Sequence, residues 1–162
     1  MRYMLRYLPF FILPCLPAHA IEVLDRIAAV VDDDVVYLDT VALMLRAIGF
    51  KQIKTYENGL DAIEAIENDR PDLVISDWDM PILTGMDVLM LMRDDPELSE
   101  IPFILNAGHL GQDRWKEAIK CGVTEFLFKP FSFEDFKESV MLTLELAENE
   151  KATDDFEQKL AS

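Results

Sequence analysis

From residue 26 onward, short apolar runs alternate with stretches in which apolar positions recur every three or four residues. That switch between strand-length runs and helical periodicity is the pattern of βα units winding a parallel sheet. Five units are countable. The expected strands are Ile27 to Val31, Gln52 to Tyr56, Leu73 to Ser76, Phe103 to Leu105 and Glu125 to Phe128. Four are mostly continuous apolar runs, as for strands covered on both faces, whereas Gln52-Ile53-Lys54-Thr55-Tyr56 alternates and reads as a sheet edge.

The intervening helices carry their own punctuation. Leu38, Val41, Ala42, Leu45 and Ile48 share one face, with Gly49 placed to end that helix. Asn58 is a cap for a second helix carrying Ala62, Ile63 and Ile66, which Arg70-Pro71 stops. A third, with Val88, Leu89 and Met92, runs out at Asp94-Asp95-Pro96, and the Met-rich run Met86 to Met92 reads as packing. A fourth holds Trp115, Ala118 and Ile119 and closes at Gly122. The last begins at Ser132 and is expected to bury Phe133, Phe136, Val140 and Leu144. Cys121, at the end of an apolar pattern, reads as a buried structural thiol.

Residues 1–20 have the form of a secretory signal: Arg2 and Arg6, an apolar run from Tyr7 to Leu16, then Ala18-His19-Ala20. The run is short and broken by Pro9, Pro14 and Pro17, so no stable membrane anchor is expected. Residues 21–148 are expected to form one domain and 149–162 a frayed helical extension or acidic tail, too short for a DNA-binding domain. The 162 residues carry a formal charge of -16. Such a surface repels phosphate backbones, which argues against nucleic acid as a partner and favours basic protein surfaces or divalent cations.

Ligands of doubly wound sheets bind beyond the carboxyl ends of the strands, near the point where strand order reverses. Here the first strand runs into Asp32-Asp33-Asp34, the third into Asp77-Trp78-Asp79 and the fifth into Lys129-Pro130. Crowded carboxylates repel one another, and a cation relieves that repulsion. An all-oxygen set suits Mg²⁺, which takes one or two protein carboxylates and keeps several waters. Asp34 is most simply a helix cap, and Trp78 is a neighbour of the site or a cover for the sheet.

Over roughly residues 27–148 the chain resembles the receiver domains of two-component response regulators, typified by the chemotaxis regulator. The resemblance rests on Asp32-Asp33, on Asp72 to Pro81 with Gly85 after it, and on Phe128-Lys129-Pro130-Phe131. Asp33 precedes Asp77 by 44 residues and Asp77 precedes Lys129 by 52, the family's spacings without gaps. The resemblance implies a flavodoxin-like (βα)₅ doubly wound α/β fold with strand order 2-1-3-4-5. It also implies Asp77 as phosphoacceptor, Mg²⁺ held by Asp32, Asp33, Asp77 and the Asp79 backbone carbonyl, and Lys129 on the phosphoryl group, behind a cis peptide bond to Pro130. Switching falls to positions 107 and 126, and phosphoryl lifetime to Asp79 and His109. The family's hydroxyl at the first switch position is here Ala107, and the aromatic at the second is Phe126. Partners implied are a sensor histidine kinase or phosphotransfer protein and a downstream protein target, in the cytoplasm, with self-phosphorylation and self-dephosphorylation as the only chemistry.

Three other readings stay open. Ala107 fits a pseudo-receiver that binds partners without phosphorylation. Asp77-Trp78-Asp79 is similar to the D-x-D core of haloacid dehalogenase phosphohydrolases, although that core follows a first strand and here follows a third. Residues 1–36 resemble the precursor start of periplasmic parvulin-type prolyl isomerase chaperones, which would make the chain a periplasmic fragment of one.

Overall fold

The computed structural model describes residues 25–108 and 111–161, with 154–161 as backbone only. The signal-like residues 1–20 and His109 lie outside the described residues. Ten elements alternate: β1 (Ile27–Val31), α1 (Val35–Ile48), β2 (Gln52–Tyr56), α2 (Gly59–Asp69), β3 (Leu73–Asp77), α3 (Gly85–Asp94), β4 (Phe103–Ala107), α4 (Gln112–Lys120), β5 (Glu125–Phe128) and α5 (Phe133–Ala161). The five strands pair in parallel in the order β2-β1-β3-β4-β5. The expected flavodoxin-like doubly wound sheet is therefore the fold, with the reversal of strand order between β1 and β3.

Two apolar layers hold the sheet. On one face Ala62, Ile66, Val88, Leu89, Met92 and Ala118 pack on Val74, Phe103 and Leu105. On the other, Leu38, Val41, Leu45, Phe136, Val140 and Leu144 pack on Val30, Ile75 and Ile104. Successive strand residues point to opposite faces, so each central strand feeds both layers. That is why their sequences are unbroken apolar runs.

The helix ends follow local chemistry. Asp34 caps α1, its carboxylate accepting from Val36 and Tyr37 N–H, and Gly49 ends that helix with φ 126°. Asn58 caps α2. Thr84 and Asp87 cap α3 reciprocally, a capping box the sequence reading passed over.

Several expectations need correction. β3 and β4 each run on to Asp77 and Ala107, because strand pairing continues through Asp77↔Asn106 and Ala107↔Phe128. Trp115 is not buried: α4 buries only Ala118 fully, and the indole, 38 % exposed, leans on Phe126 instead. Phe133 is half-buried because the first turn of α5 starts at the rim of the sheet, and Cys121 is also only half-buried. β5, expected to be covered on both faces, is the second edge strand and leaves Phe128 49 % exposed. The acidic C-terminal segment continues α5 to Ala161, which is the helical extension of its two expected forms. Among the described residues no helix is long and apolar enough to cross a membrane.

Candidate functional site

Three strand ends meet at one edge of the sheet. β1 delivers Asp32, β3 ends in Asp77, and Lys129 follows β5. The Lys129 ammonium donates to Asp32 Oδ2 at 2.8 Å and to Asp77 Oδ1 at 2.5 Å. Both carboxylates are buried, Asp32 at 2 % and Asp77 at 9 % exposure, and Lys129 is partly covered.

Backbone geometry aims these groups. Asp32 N–H donates to the Tyr56 carbonyl at 3.1 Å, which extends the β1–β2 pairing by one residue. Its Oδ1 accepts from Asp34 N–H at 2.9 Å, folding the following turn around the carboxylate. Asp77 Oδ2 likewise accepts from Asp79 N–H at 2.8 Å. Lys129 N–H bonds the Ala107 carbonyl at 2.9 Å, and the Lys129-Pro130 peptide is cis. Gly85 closes the loop beneath Asp77, its N–H on the Trp78 carbonyl. A Cβ there would stand 2.0 Å from the Asp77 carbonyl oxygen, so no other residue fits.

The electrostatics follow from two buried acids sharing one base. Burial raises the Asp32 carboxyl above the ordinary carboxylate range, and the Lys129 hydrogen bond only partly opposes it. Burial by itself would lower Lys129, but its bonds to Asp32 and Asp77 outweigh that and hold the ammonium above its ordinary value. Two carboxylates against one ammonium leave a net negative charge in a half-dry crevice.

Among the described residues, no group of three or more His, Cys, Asp or Glu side chains is gathered tightly enough to encage a metal. Asp33 is exposed at the rim beside the pair. Two buried acidic side chains, with the exposed Asp33 at the rim beside them, fit a hard cation that takes few protein ligands and keeps several waters, which is the behaviour of Mg²⁺.

The remaining expected residues are scattered by role. Asp79 projects outward and pairs with Arg114 of α4 at 3.1 Å, whose guanidinium also lies over the Trp78 ring at 5.1 Å. Trp78 is buried in the core beneath. Ala107 is 3 % exposed at the tip of β4 and offers only a methyl group. Phe126 sits between Trp115 at 6.0 Å and Phe128 at 6.3 Å, a short aromatic ladder along the outer edge.

Two neighbours of the site, Tyr37 and Arg114, were missed from sequence, and a third, Asn106, stood there only as a candidate substitute for the hydroxyl lacking at position 107. Tyr37 lays its ring against the Lys129 ammonium, 3.7 Å from the ring centroid. Asn106 donates from Nδ2 to Tyr37 Oη at 3.1 Å. Asn106 did carry a signal, as the one polar residue within Phe103 to Ala107. Tyr37 and Arg114 carried none, since each reaches the site from a helix.

With this geometry in place, comparison with known proteins is specific. Residues 28–141 match the family described as response regulator receiver domain. Chemotaxis protein CheY-3 of Vibrio cholerae serotype O1 is 31 % identical over 111 residues, covering 68 % of this chain and 85 % of that protein. Chemotaxis protein CheY1 of Helicobacter pylori is 30 % identical over 116 residues, covering 71 % and 94 %. Among solved structures, a response regulator from Chloroflexus aurantiacus matches with TM-score 0.69 at 23 % identity, covering 74 % of this chain and 97 % of that one. The receiver domain of sensor histidine kinase PA1611 from Pseudomonas aeruginosa PAO1, solved with a magnesium ion in its active site cleft, matches with TM-score 0.67 at 21 % identity, covering 74 % and 97 %.

Proposed function

Since the chain belongs to the response regulator receiver domain family, we propose that Asp77 accepts a phosphoryl group from the phosphohistidine of a sensor kinase or phosphotransfer protein. The observation that carries this reading is the Lys129 ammonium clasped by Asp32 and Asp77, three side chains from three strands at the ligand-binding edge of the sheet. An Asp77 carboxylate oxygen attacks phosphorus, a P–O bond forms as the P–N bond breaks, and the imidazole leaves. Water later attacks the same phosphorus and returns the carboxylate. Little covalent chemistry is needed; position and charge do most of the work.

Asp77 is held for attack by the Asp79 N–H on Oδ2, which leaves Oδ1 facing Lys129. Lys129 keeps its proton and places a compact positive charge against the incoming phosphoryl oxygens. Asp32, Asp33, Asp77 and the Asp79 carbonyl are the groups that would hold Mg²⁺. That ion, when bound, neutralises charge on the phosphoryl oxygens. Asp79 and His109 are the positions assigned to phosphoryl lifetime, and Ala107 and Phe126 those assigned to switching.

Output runs through protein contacts rather than nucleic acid, in keeping with the acidic surface. The face formed by α4, β5 and α5 is the proposed output surface, and the exposed Phe128 and Trp115 lie on it. We place the chain in the cytoplasm, where kinase phosphohistidines are made. Residues 1–20 would instead lead to the periplasm, and sequencing the native N-terminus separates the two.

Intact-protein mass after incubation with Mg²⁺ and acetyl phosphate tests the reading. The wild type gains one phosphoryl group, and Asp77→Asn gains none. One observation favours a second reading: β4 ends in Ala107, with no hydroxyl to grip a phosphoryl group. If the wild type gains no mass while a control receiver does, the phosphorylation-independent pseudo-receiver replaces the first proposal.

A further inference from the structure

The site owns a hydroxyl that its strand ends do not supply. Tyr37 stands on the first turn of α1, one ring face against the Lys129 ammonium and its edge packed on Phe131 at 6.1 Å, with the two rings 78° apart. Those contacts hold the ring. Its Oη accepts from Asn106 Nδ2, and Asn106 is the β4 residue in direct register with Asp77. The phenol is thus tied to the residue beside Asp77, while its ring is tied to the ammonium that Asp77 binds.

Hydrogen-bond accounting shows what this phenol has left to give. A hydroxyl that accepts from an amide still has its own proton to donate. Burial, then the negative charges of Asp32 and Asp77, keep that proton on the oxygen well above the ordinary tyrosine range. Ser76 Oγ is committed to the Asp77 carbonyl. Asn106 is 1 % exposed, yet its Oδ1 has no hydrogen-bond partner among the described residues. An open acceptor of that kind takes a donor and not a phosphoryl oxygen, so the proton this cluster has to give is that of the phenol.

Building on the phosphoacceptor reading, we infer that the Tyr37 hydroxyl is the hydrogen-bond donor to the phosphoryl group on Asp77, with Asn106 as its positioning residue. Helix α1 thereby supplies the hydroxyl that the tip of β4 lacks. A phosphoryl group draws Tyr37 toward itself, so the pull falls on α1 and, through Phe131 and its stacked neighbour Phe136, on α5.

Beryllofluoride, a phosphoryl mimic, tests this on the full chain. Its affinity is read by fluorine NMR in the presence of Mg²⁺, and the affinity for Mg²⁺ alone by calorimetry. Tyr37→Phe keeps the ring over Lys129 and removes only the hydroxyl. It is expected to weaken beryllofluoride binding about ten- to hundredfold, the range for one hydrogen bond to a charged group, and to leave Mg²⁺ affinity unchanged. Asn106→Val is expected to weaken beryllofluoride less, and the double variant to be no worse than Tyr37→Phe alone. Unchanged beryllofluoride affinity in Tyr37→Phe overturns the inference, as does a parallel loss of Mg²⁺ affinity or an additive loss in the double variant. A wild type that binds Mg²⁺ but takes up no beryllofluoride defeats the phosphoacceptor reading itself.

Discussion

Lys129 Nζ lies 2.5 Å from Asp77 Oδ1 across 52 residues of chain, and the same ammonium reaches Asp32 at 2.8 Å. This contact joins the first, third and fifth strands at their carboxyl ends. It is also the only cation on two buried acids among the ion pairs described.

Removing that cation strands both carboxylates. Lys129→Met is expected to lower folding stability by about 1–3 kcal/mol at neutral pH, below the value for a fully buried pair because Lys129 is 27 % exposed. Millimolar Mg²⁺ should restore much of the loss. Urea unfolding with and without Mg²⁺ measures both, and a loss that Mg²⁺ does not reduce would count against these acids as a cation site.

Asp34 sits beside the acidic pair but spends its carboxylate on Val36 and Tyr37 N–H. Asp34→Ala should therefore cost about 1 kcal/mol of stability, as other lost N-caps do, with no change in Mg²⁺ affinity. Calorimetric titration would reveal a metal role as a weakened affinity.

Gly85 is fixed by space rather than by backbone angle. Gly85→Ala places a methyl against the Asp77 carbonyl oxygen, with Leu105 and Ser76 2.9 Å away on other sides. Backbone must shift, so a cost of roughly 2–4 kcal/mol is expected, with weakened Mg²⁺ binding as Asp77 moves. A near-wild-type urea midpoint would show that the loop yields more easily than its packing implies.

Far from the site, Asp69 accepts from Lys54 at 2.8 Å and from the Tyr56 hydroxyl at 3.3 Å, pinning α2 to β2. The Lys54 hydrogen bond holds the Asp69 carboxyl below its ordinary value. A carboxyl lowered in the folded state stabilises above its unfolded pKa, and that contribution disappears as pH falls through the folded one. The stability gap between wild type and Asp69→Asn should be flat near neutrality and close below about pH 4. Urea midpoints across that range measure it, and a gap that persists under acid would mean the pair is not the cause. Burial, and then the Asp69 carboxylate, push the Tyr56 hydroxyl up to about 12, so its absorbance titration should come late.

How much of this was legible beforehand depends on the range over which each feature is decided. Runs such as Leu73 to Ser76 and the stripe Leu38, Val41, Ala42, Leu45 announced strands and helices, because burial on two faces or one leaves its period in the chain. The charged residues that follow each apolar run are equally visible, so Asp32, Asp77 and Lys129 could be nominated from their positions alone. Strand ends slipped by one or two residues at Asp77 and Ala107, since pairing with a neighbour rather than composition sets them.

The sequence by itself determined the alternation of elements, the two apolar layers and the three charged strand ends, all consequences of periodicity and chain order. Tertiary structure alone decided that Tyr37 covers Lys129, that Asn106 reaches Tyr37 rather than Asp77, and that Arg114 pairs with Asp79. Those contacts cross from helix to sheet. Their partners are fixed by how a helix docks and rotates on the strands, a degree of freedom that no local pattern of residues encodes.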